Sequence, residues 1–150
     1  MKIKNDIGFT LVELMVGCMI MGIVAAVAAP GFSGLIRNYK LSNAARMVWL
    51  DLNKAKMMAI KQGLTMRVDF DSSGTFYDIY RVNQDNTTTK VFTRNLTADY
   101  AGITLSSRTT TPISFGNTGT ANAGTVILQR DSSHSKVFTI ATTGRIGQIS

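Results

Sequence analysis

The sequence predicts an α+β protein in which a long N-terminal helix packs on an antiparallel β domain. Two observations predict this class. An apolar run from Phe9 to Ala29 passes directly into a segment with helical periodicity, and the chain after Gly63 alternates between short β-patterned runs and turn residues. Because no strand–helix–strand alternation follows Gly63, the strands are expected to pair antiparallel.

Composition limits the chain to one membrane-spanning segment and one small domain. It has 150 residues and a formal net charge of +7. A basic surface favours anionic partners such as nucleic acid or acidic lipid, but a merely basic solvated surface is the simpler interpretation. The single cysteine, Cys18, lies in the apolar run, so the C-terminal domain has no intramolecular disulfide and must be stabilised by its own core.

Residues 1–8 precede the apolar run and look like the basic start of an export signal. Their lysines, Lys2 and Lys4, are typical of such a signal and favour a cytoplasmic amino terminus. Ordinary signal-peptide cleavage after Ala28 is an alternative, although the apolar run exceeds the usual core of about 7–15 residues. Since long downstream domains are translocated largely regardless of charge, the C-terminal domain is predicted to lie in the periplasm.

Residues 9–34 are predicted to form a hydrophobic transmembrane and assembly helix. About 20 apolar residues match a hydrocarbon core of about 30 Å. Glu13 is exceptional, because a carboxylate in such a run costs about 2.5–3.5 kcal/mol on insertion scales, unless it snorkels to the headgroups. Pro30 lacks an amide donor and clashes with the preceding turn, so we expect a kink there rather than the end of the helix.

The segment Gly8–Leu14, GFTLVEL, resembles the cleavage and methylation signature of type IV prepilins and type II secretion pseudopilins. The resemblance implies that residues 1–8 are a prepilin leader, that prepilin peptidase removes it by cutting after Gly8, and that the same enzyme methylates the new amino terminus at Phe9. It also implies that Glu13 meets the free amino terminus of a neighbouring subunit, and two buried unlike charges that pair cost less than either alone. The implied partners are therefore the peptidase, other pilins or pseudopilins, and the inner membrane.

Residues 35–62 are predicted to be the amphipathic half of the same helix, packed through one stripe on the domain. The spacing of the apolar positions alternates between four and three. These positions are Leu41, Ala45, Val48, Leu52, Ala55 and Ala59. Gly63 is predicted to end the helix. We interpret Trp49, Met57 and Met58 as core residues rather than a binding site.

Residues 63–150 are predicted to form the periplasmic β domain. The alternating runs Leu64–Phe70 and Thr75–Val82 flank the turn Asp71–Gly74, which indicates a β-hairpin. Further β-patterned runs follow between Gly, Ser, Thr and Asn. They are Lys90–Leu96, Ile103–Leu105, Ile113–Phe115, Val126–Leu128 and Val137–Ile140.

The β domain narrows the resemblance to the GspH/FimT branch. The similar residues are Ile113–Phe115, Gly119, Gly124, Val126–Leu128 and the closing Gly144–Ile146. The resemblance implies a non-enzymatic minor pseudopilin or pilin of a type II secretion or type IV pilus machine, incorporated at or near the fibre tip to support assembly and protein secretion. Such a protein waits as a single-pass inner-membrane protein before it enters the pilus or pseudopilus. A major pilin is a further alternative.

No residue pattern predicts an enzyme, a cofactor or a metal site. His134 and Asp131 share one predicted hairpin turn with serines, where a nucleophile, a base and an orienting acid cannot be held on separate supports. Asp69, Asp71 and Asp78 surround the first hairpin, and calcium favours several oxygen ligands, but the spacing lacks a closing bidentate glutamate. We therefore interpret these carboxylates as turn and strand-face residues.

A DNA-binding minor pilin for natural transformation is the alternative function. FimT-like pilins that take part in DNA capture have a basic tail with a Gly-Arg-x-Arg pattern. By resemblance, the candidate DNA contacts here are Lys136 and Arg145, and Arg108 and Arg130 are further basic residues. This chain has Gly144–Gly147, GRIG, so the second arginine is missing, whereas useful affinity for DNA needs several phosphate contacts. Alternatively, Arg145 pins the final strand.

Overall fold

The computed structural model describes residues 9–107 and 112–149, which fall into two compact units, Met1–Asn38 and Tyr39–Ser150. Helix α1 (Leu11–Gln62) begins in the first unit and ends in the second. The predicted leader, with the cleavage residue Gly8, lies outside the described residues, and so does Arg108.

The described part of the first unit is helical from Leu11 onward. Every side chain from Phe9 to Ala28 is exposed, and Leu11–Ala28 is long and apolar enough to cross a membrane by length and composition. The helix continues through position 30, so the proline does not end it, as expected. A kink at Pro30 stays a prediction.

In the second unit, α1 packs one face against the strands. The buried positions repeat with the predicted alternation of four and three. They are Leu41, Ala44, Ala45, Val48, Leu52, Ala55 and Ala59. The helix ends as predicted at Gly63, whose φ is 66°. Gly63 N donates to Ile60 O at 3.3 Å and Leu64 N to Ala59 O at 3.2 Å, which is the Schellman arrangement.

Eight strands and one short helix follow α1. They are β1 (Thr65–Phe70), β2 (Phe76–Val82), β3 (Thr88–Asn95), α2 (Leu96–Asp99), β4 (Thr104–Ser107), β5 (Ile113–Phe115), β6 (Gly124–Asp131), β7 (His134–Ile140) and β8 (Ile146–Ile149). They form two four-stranded sheets, in the orders β3-β2-β1-β5 and β4-β6-β7-β8. Every pairing between named strands is antiparallel, so the predicted α+β class is confirmed.

One hydrophobic core joins the buried face of α1 to both sheets. Its largest fully buried side chains from the sheets include Met66, Tyr77, Phe115, Leu128 and Phe138. The β1–β2 hairpin turns at Asp71–Gly74 as predicted, with Gly74 N bonded to Asp71 O at 2.9 Å.

Two residues interpreted as core are in fact exposed. Trp49 is 38% exposed and Met57 is 65% exposed, whereas Met58 is partly buried against the core. The physical reason is the helical rotation of about 100° per residue, which turns Trp49 outward beside the fully buried Val48. The interpretation of Trp49 and Met57 as core residues was therefore wrong.

Candidate assembly site

Thr10 and Glu13 cap the start of α1 reciprocally. Thr10 N and Oγ1 donate to Glu13 Oε2 at 3.0 and 2.9 Å, and Glu13 N donates to Thr10 Oγ1 at 3.2 Å. This is the capping box, in which an N-cap threonine and a glutamate three residues later satisfy each other's amides. Sequence reasoning missed this role of Glu13, although the T-x-x-E spacing before an apolar run is its signal.

The cap uses only one oxygen of the Glu13 carboxylate. Within the chain as described, Oε2 accepts both hydrogen bonds from Thr10, whereas Oε1 accepts none. The carboxylate is thus held in a fixed place at the helix start while half of its acceptor capacity stays open. The arrangement is compatible with a second donor from outside the chain.

The surface that follows the cap is apolar on all sides. Large apolar side chains such as Phe9, Val12, Met21 and Val27 are each more than 60% exposed. Soluble monomers rarely expose apolar patches larger than a few hundred Å², so such a surface marks a membrane or a protein interaction site. This helix therefore needs a cover of lipid or of other helices.

The C-terminal Gly-Arg pattern has a packing role. The turns at Gly119 (φ 81°) and Gly144 (φ 73°) touch so closely that a Cβ on Gly144 would lie 1.8 Å from Gly119 O. Lys56 Nζ, from α1, donates to Gly144 O at 2.9 Å. Ala141 N donates to Arg145 O at 2.9 Å, while the side chain of Arg145 is exposed.

The two candidate DNA contacts lie at different ends of a strand pair. In the β7–β8 pairing, Val137 is opposite Ile149 and Ile140 is opposite Ile146, so Lys136 and Arg145 stand at opposite ends of the pair. At about 3.3 Å per residue the separation along the strand is about 16 Å. The described structure does not bring the two together, and DNA binding stays a prediction.

His134 and Asp131 stabilise the β6–β7 turn. His134 Nδ1 lies 2.8 Å from Asp131 Oδ1, and the backbone amide of Ser133 donates to the same oxygen at 2.9 Å. These contacts with His134, together with the Arg130 guanidinium, hold the pKa of Asp131 well below its usual value. Both side chains are about half exposed, so the pair is a solvated turn without a sheltered cleft.

The carboxylates around the first hairpin are bonded to other groups. Arg67 binds Asp69 at 2.7 Å, Lys90 binds Asp78 at 2.9 Å, and Asp71 accepts a hydrogen bond within its own turn at 3.0 Å. Among residues 9–107 and 112–149, no three or more His, Cys, Asp or Glu side chains lie together in a group that could hold a metal ion.

A capped apolar helix followed by an amphipathic half and an antiparallel β domain defines a pilin-like subunit. A family model described as "Type II transport protein GspH" matches residues 44–144, more than half of the chain. A model of the prokaryotic N-terminal methylation motif matches residues 3–29. The chain belongs to the type II transport protein GspH family and is a GspH-like minor pseudopilin.

Solved structures share this fold. The type IV minor pilin FimU of Pseudomonas aeruginosa matches with a TM-score of 0.62 and 19% identity, over 75% of this chain and 90% of FimU. The minor pseudopilin EpsH from the type 2 secretion system of Vibrio cholerae matches with a TM-score of 0.63 and 14% identity, over 74% of this chain and 97% of EpsH. Comparison with curated protein sequences finds no match.

These comparisons confirm three of the sequence predictions. The GspH/FimT resemblance, the pilin-like fold and the non-enzymatic nature are confirmed, because the family and its structural relatives are pilin and pseudopilin subunits and not enzymes. The N-terminal motif and the apolar helix Leu11–Ala28 together suggest membrane anchoring.

Proposed function

We propose that this chain is a minor subunit at or near the tip of a type II secretion pseudopilus or type IV pilus, supporting fibre assembly and protein secretion. Its N-terminal helix first anchors it in the inner membrane, with the β domain in the periplasm, and then inserts among the helices of other subunits. The observation that carries this proposal is the apolar helix Leu11–Ala28, which is exposed on every side. A helix surface made of apolar and small side chains is covered either by lipid or by other helices.

Processing is the first step of this proposal. Prepilin peptidase would cut between Gly8 and Phe9 and methylate the freed amine of Phe9. Two findings support it: the methylation motif matches residues 3–29, and Phe9 precedes the helix and is 85% exposed. Intact mass of the protein from cells should show loss of residues 1–8 and gain of one methyl group, and Gly8→Leu should leave the leader attached.

Recruitment by Glu13 is the second step. Its carboxylate would bind the free amine of a neighbouring subunit, using the oxygen that the Thr10 cap leaves open. The capping role complicates the simplest test, since Glu13→Ala removes the cap and the charge together. Glu13→Gln separates them, because glutamine also serves in capping boxes but is neutral.

The decisive measurement is incorporation into the fibre fraction sheared from cells that carry the rest of the machine. We expect Glu13→Gln to be processed and inserted like the parent chain but to lose incorporation about as strongly as Glu13→Ala. Thr10→Ala is the matched control, because it removes the cap and keeps the charge. Normal incorporation of Glu13→Gln would refute the charge-pairing role and leave capping as the function of Glu13.

A further inference from the structure

The outward face of α1 in the second unit carries an apolar stripe that the domain does not use. We call Trp49, Leu50, Met57 and Ile60 the helix stripe; they are 38%, 51%, 65% and 45% exposed. Asn53 lies among them, but its side-chain amide donates to Trp49 O at 2.8 Å and so turns back onto the helix. At 1.5 Å per residue the helix stripe is about 17 Å long.

The helix stripe is separate from the stripe that folds the domain. Val48, Leu52, Ala55 and Ala59 already bury one side of the helix completely or nearly so, with exposures of 0–1%. An amphipathic helix needs one such stripe to pack on its domain. Single exposed apolar residues are ordinary, but a contiguous exposed row marks an interaction surface.

The exposed charges that α1 itself carries beside the helix stripe all have one sign. Arg46, Lys54 and Lys61 are exposed along its length. Lys54 Nζ lies 4.8 Å from the centre of the Phe92 ring, and in the described part of the chain none of the three cations is in an ion pair. The single acidic residue between positions 39 and 62, Asp51, is buried and bonded to the β strands.

We propose that the helix stripe docks a different pilin-like subunit, whose matching surface is apolar with an acidic rim. The inference rests on the proposed function and names the kind of partner that the second unit, Tyr39–Ser150, binds. Charge decides against a second copy, which would bring another basic chain, with a formal net charge of +7 before the predicted leader is removed, to a surface that is itself basic. A heterologous neighbour is therefore the occupant.

Side-chain type favours a protein over an anionic bilayer. Trp, Met and Arg are enriched at the cores of protein interfaces, whereas Lys is depleted there and belongs to the rim. Here Trp49 and Met57 form the row with Arg46 at its start, and Lys54 and Lys61 lie beside it. Tryptophan and arginine are also the side chains that most often dominate binding energy.

The test is site-specific photocross-linking of the full chain in cells that carry the complete machine. A benzophenone amino acid replaces Leu50, and in a second variant Met57, with Val91 as the matched control, since Val91 is apolar and 38% exposed on β3. We expect positions 50 and 57 to cross-link to one acidic pilin-like subunit of the same machine, and position 91 not to do so.

Charge reversal supplies the second arm. Arg46→Glu with Lys61→Glu should lower the yield of that product at least about tenfold, because like charges brought together at an interface cost several kcal/mol. Arg145→Glu makes a reversal of the same sign on another exposed residue and should leave the yield unchanged. Melting of each variant confirms that the domain has folded.

Several outcomes would overturn the inference. They are a product with a second copy of the chain, a product with phospholipid, no product at positions 50 and 57, and equal products at positions 50 and 91. The failure of the proposed function looks different: the chain would be missing from sheared fibres. Cross-links are measured in membranes as well as in fibres. A chain that enters the fibre without forming the cross-linked product at positions 50 and 57 would therefore refute the helix-stripe inference and leave the proposed function standing.

Discussion

Asp51 is a buried carboxylate that binds α1 to two strands. Tyr77 Oη donates to Asp51 Oδ2 at 2.6 Å, and Arg94 donates to both carboxylate oxygens at 3.0 and 3.3 Å. Burial, followed by the bond to Asp51, raises the pKa of Tyr77, while the bond to Asp51 raises the pKa of Arg94. Both groups therefore stay protonated donors at any physiological pH.

Removing this carboxylate should destabilise the domain strongly. We expect Asp51→Ala to lower the free energy of unfolding by about 3 kcal/mol, because it leaves the buried Tyr77 hydroxyl without its acceptor and also removes the ion pair with Arg94, whose side chain is 32% exposed. Tyr77→Phe removes one hydrogen bond to a charged group and should cost about 1.5 kcal/mol. Chemical unfolding followed by the fluorescence of the single tryptophan measures both. Equal losses from the two variants would show that the ion pair with Arg94 adds nothing to the stability of the domain.

Position 144 requires glycine for two reasons, a left-handed backbone and the close approach of the turn at Gly119. Gly144→Ala would place its Cβ against the carbonyl of Gly119, whereas Gly102→Ala, at a φ of 84°, would meet nothing within 4 Å. We expect a loss of about 1–2 kcal/mol for Gly102→Ala from the backbone alone, and at least about 2 kcal/mol more for Gly144→Ala. Thermal melting compares the two, and similar melting points would show that the turns separate easily.

The sheet of β3, β2, β1 and β5 contains a carboxylate that makes stability depend on pH. Burial raises the pKa of Asp78, but hydrogen bonds from Thr93, Lys90 and Tyr80 outweigh it, so the pKa is below its usual value. The unfolded chain then binds a proton at higher pH than the folded chain. The stabilisation is complete above the unfolded pKa of about 3.9 and is lost as pH falls through the lower folded pKa.

Thermal melting at acid pH tests whether Asp78 makes the stability of this sheet depend on pH. The melting temperature of the parent chain should fall between about pH 5 and about pH 2, as the pH passes the ordinary carboxyl pKa and then the lower pKa of Asp78 in the folded chain. The melting temperature of Asp78→Asn should fall less steeply over the same range, because this variant has no proton to take up at position 78. Lys136→Met is a control without a carboxylate partner among the described ion pairs. An unchanged slope in Asp78→Asn would refute the assignment.

The long periodic elements and the short strand β5 were predictable from the sequence, but the short elements α2 and β8 were not. The helix and the β1–β2 hairpin each repeat their pattern over several turns or residue pairs, so their faces could be assigned. Helix α2 and strand β8 have four residues each, too few for a period to show. They depend on neighbours instead: α2 is capped by Asn95, and β8 pairs with β7.

The candidate site divides in the same way. The order of Gly8, Phe9 and Glu13 before an apolar run could be recognised from sequence, because it is local. The helix stripe was missed, although the helical period that placed Val48 inward also turned its neighbour Trp49 outward. Apolar character alone had led us to interpret Trp49 as a core residue. The sequence could not show that Lys136 and Arg145 lie at opposite ends of a strand pair.

At the scale of the molecule, the fold tolerates wide divergence in sequence. Identities of 14–19% accompany TM-scores of 0.62–0.63 with FimU and EpsH. Chains with so little identity can share one packing pattern in the core while their surface residues differ. In the proposed function, the N-terminal motif would serve processing and assembly, and the surface of the β-domain half would determine the neighbour.

The second unit should fold without the first. Its buried apolar residues run from Leu41 to Ile140, all within Tyr39–Ser150, whereas the exposed apolar helix precedes it. We expect a fragment that starts at Tyr39 to be soluble without detergent and to unfold in one cooperative transition, while the full chain requires detergent. Aggregation of the fragment, or a gradual melt, would show that the domain needs the preceding helix.

The helix cap has a consequence for how a subunit moves from the bilayer into a fibre. Oε2 of Glu13 is bonded to Thr10, and among residues 9–107 and 112–149 no group donates to Oε1, so in the proposed assembly a neighbour's amine can approach before the bonds to Thr10 break. The carboxylate never has to stand without a donor in hydrocarbon, where an unsatisfied charge is most unfavourable. Assembly would then proceed as an exchange of partners rather than as the creation and rescue of a bare charge.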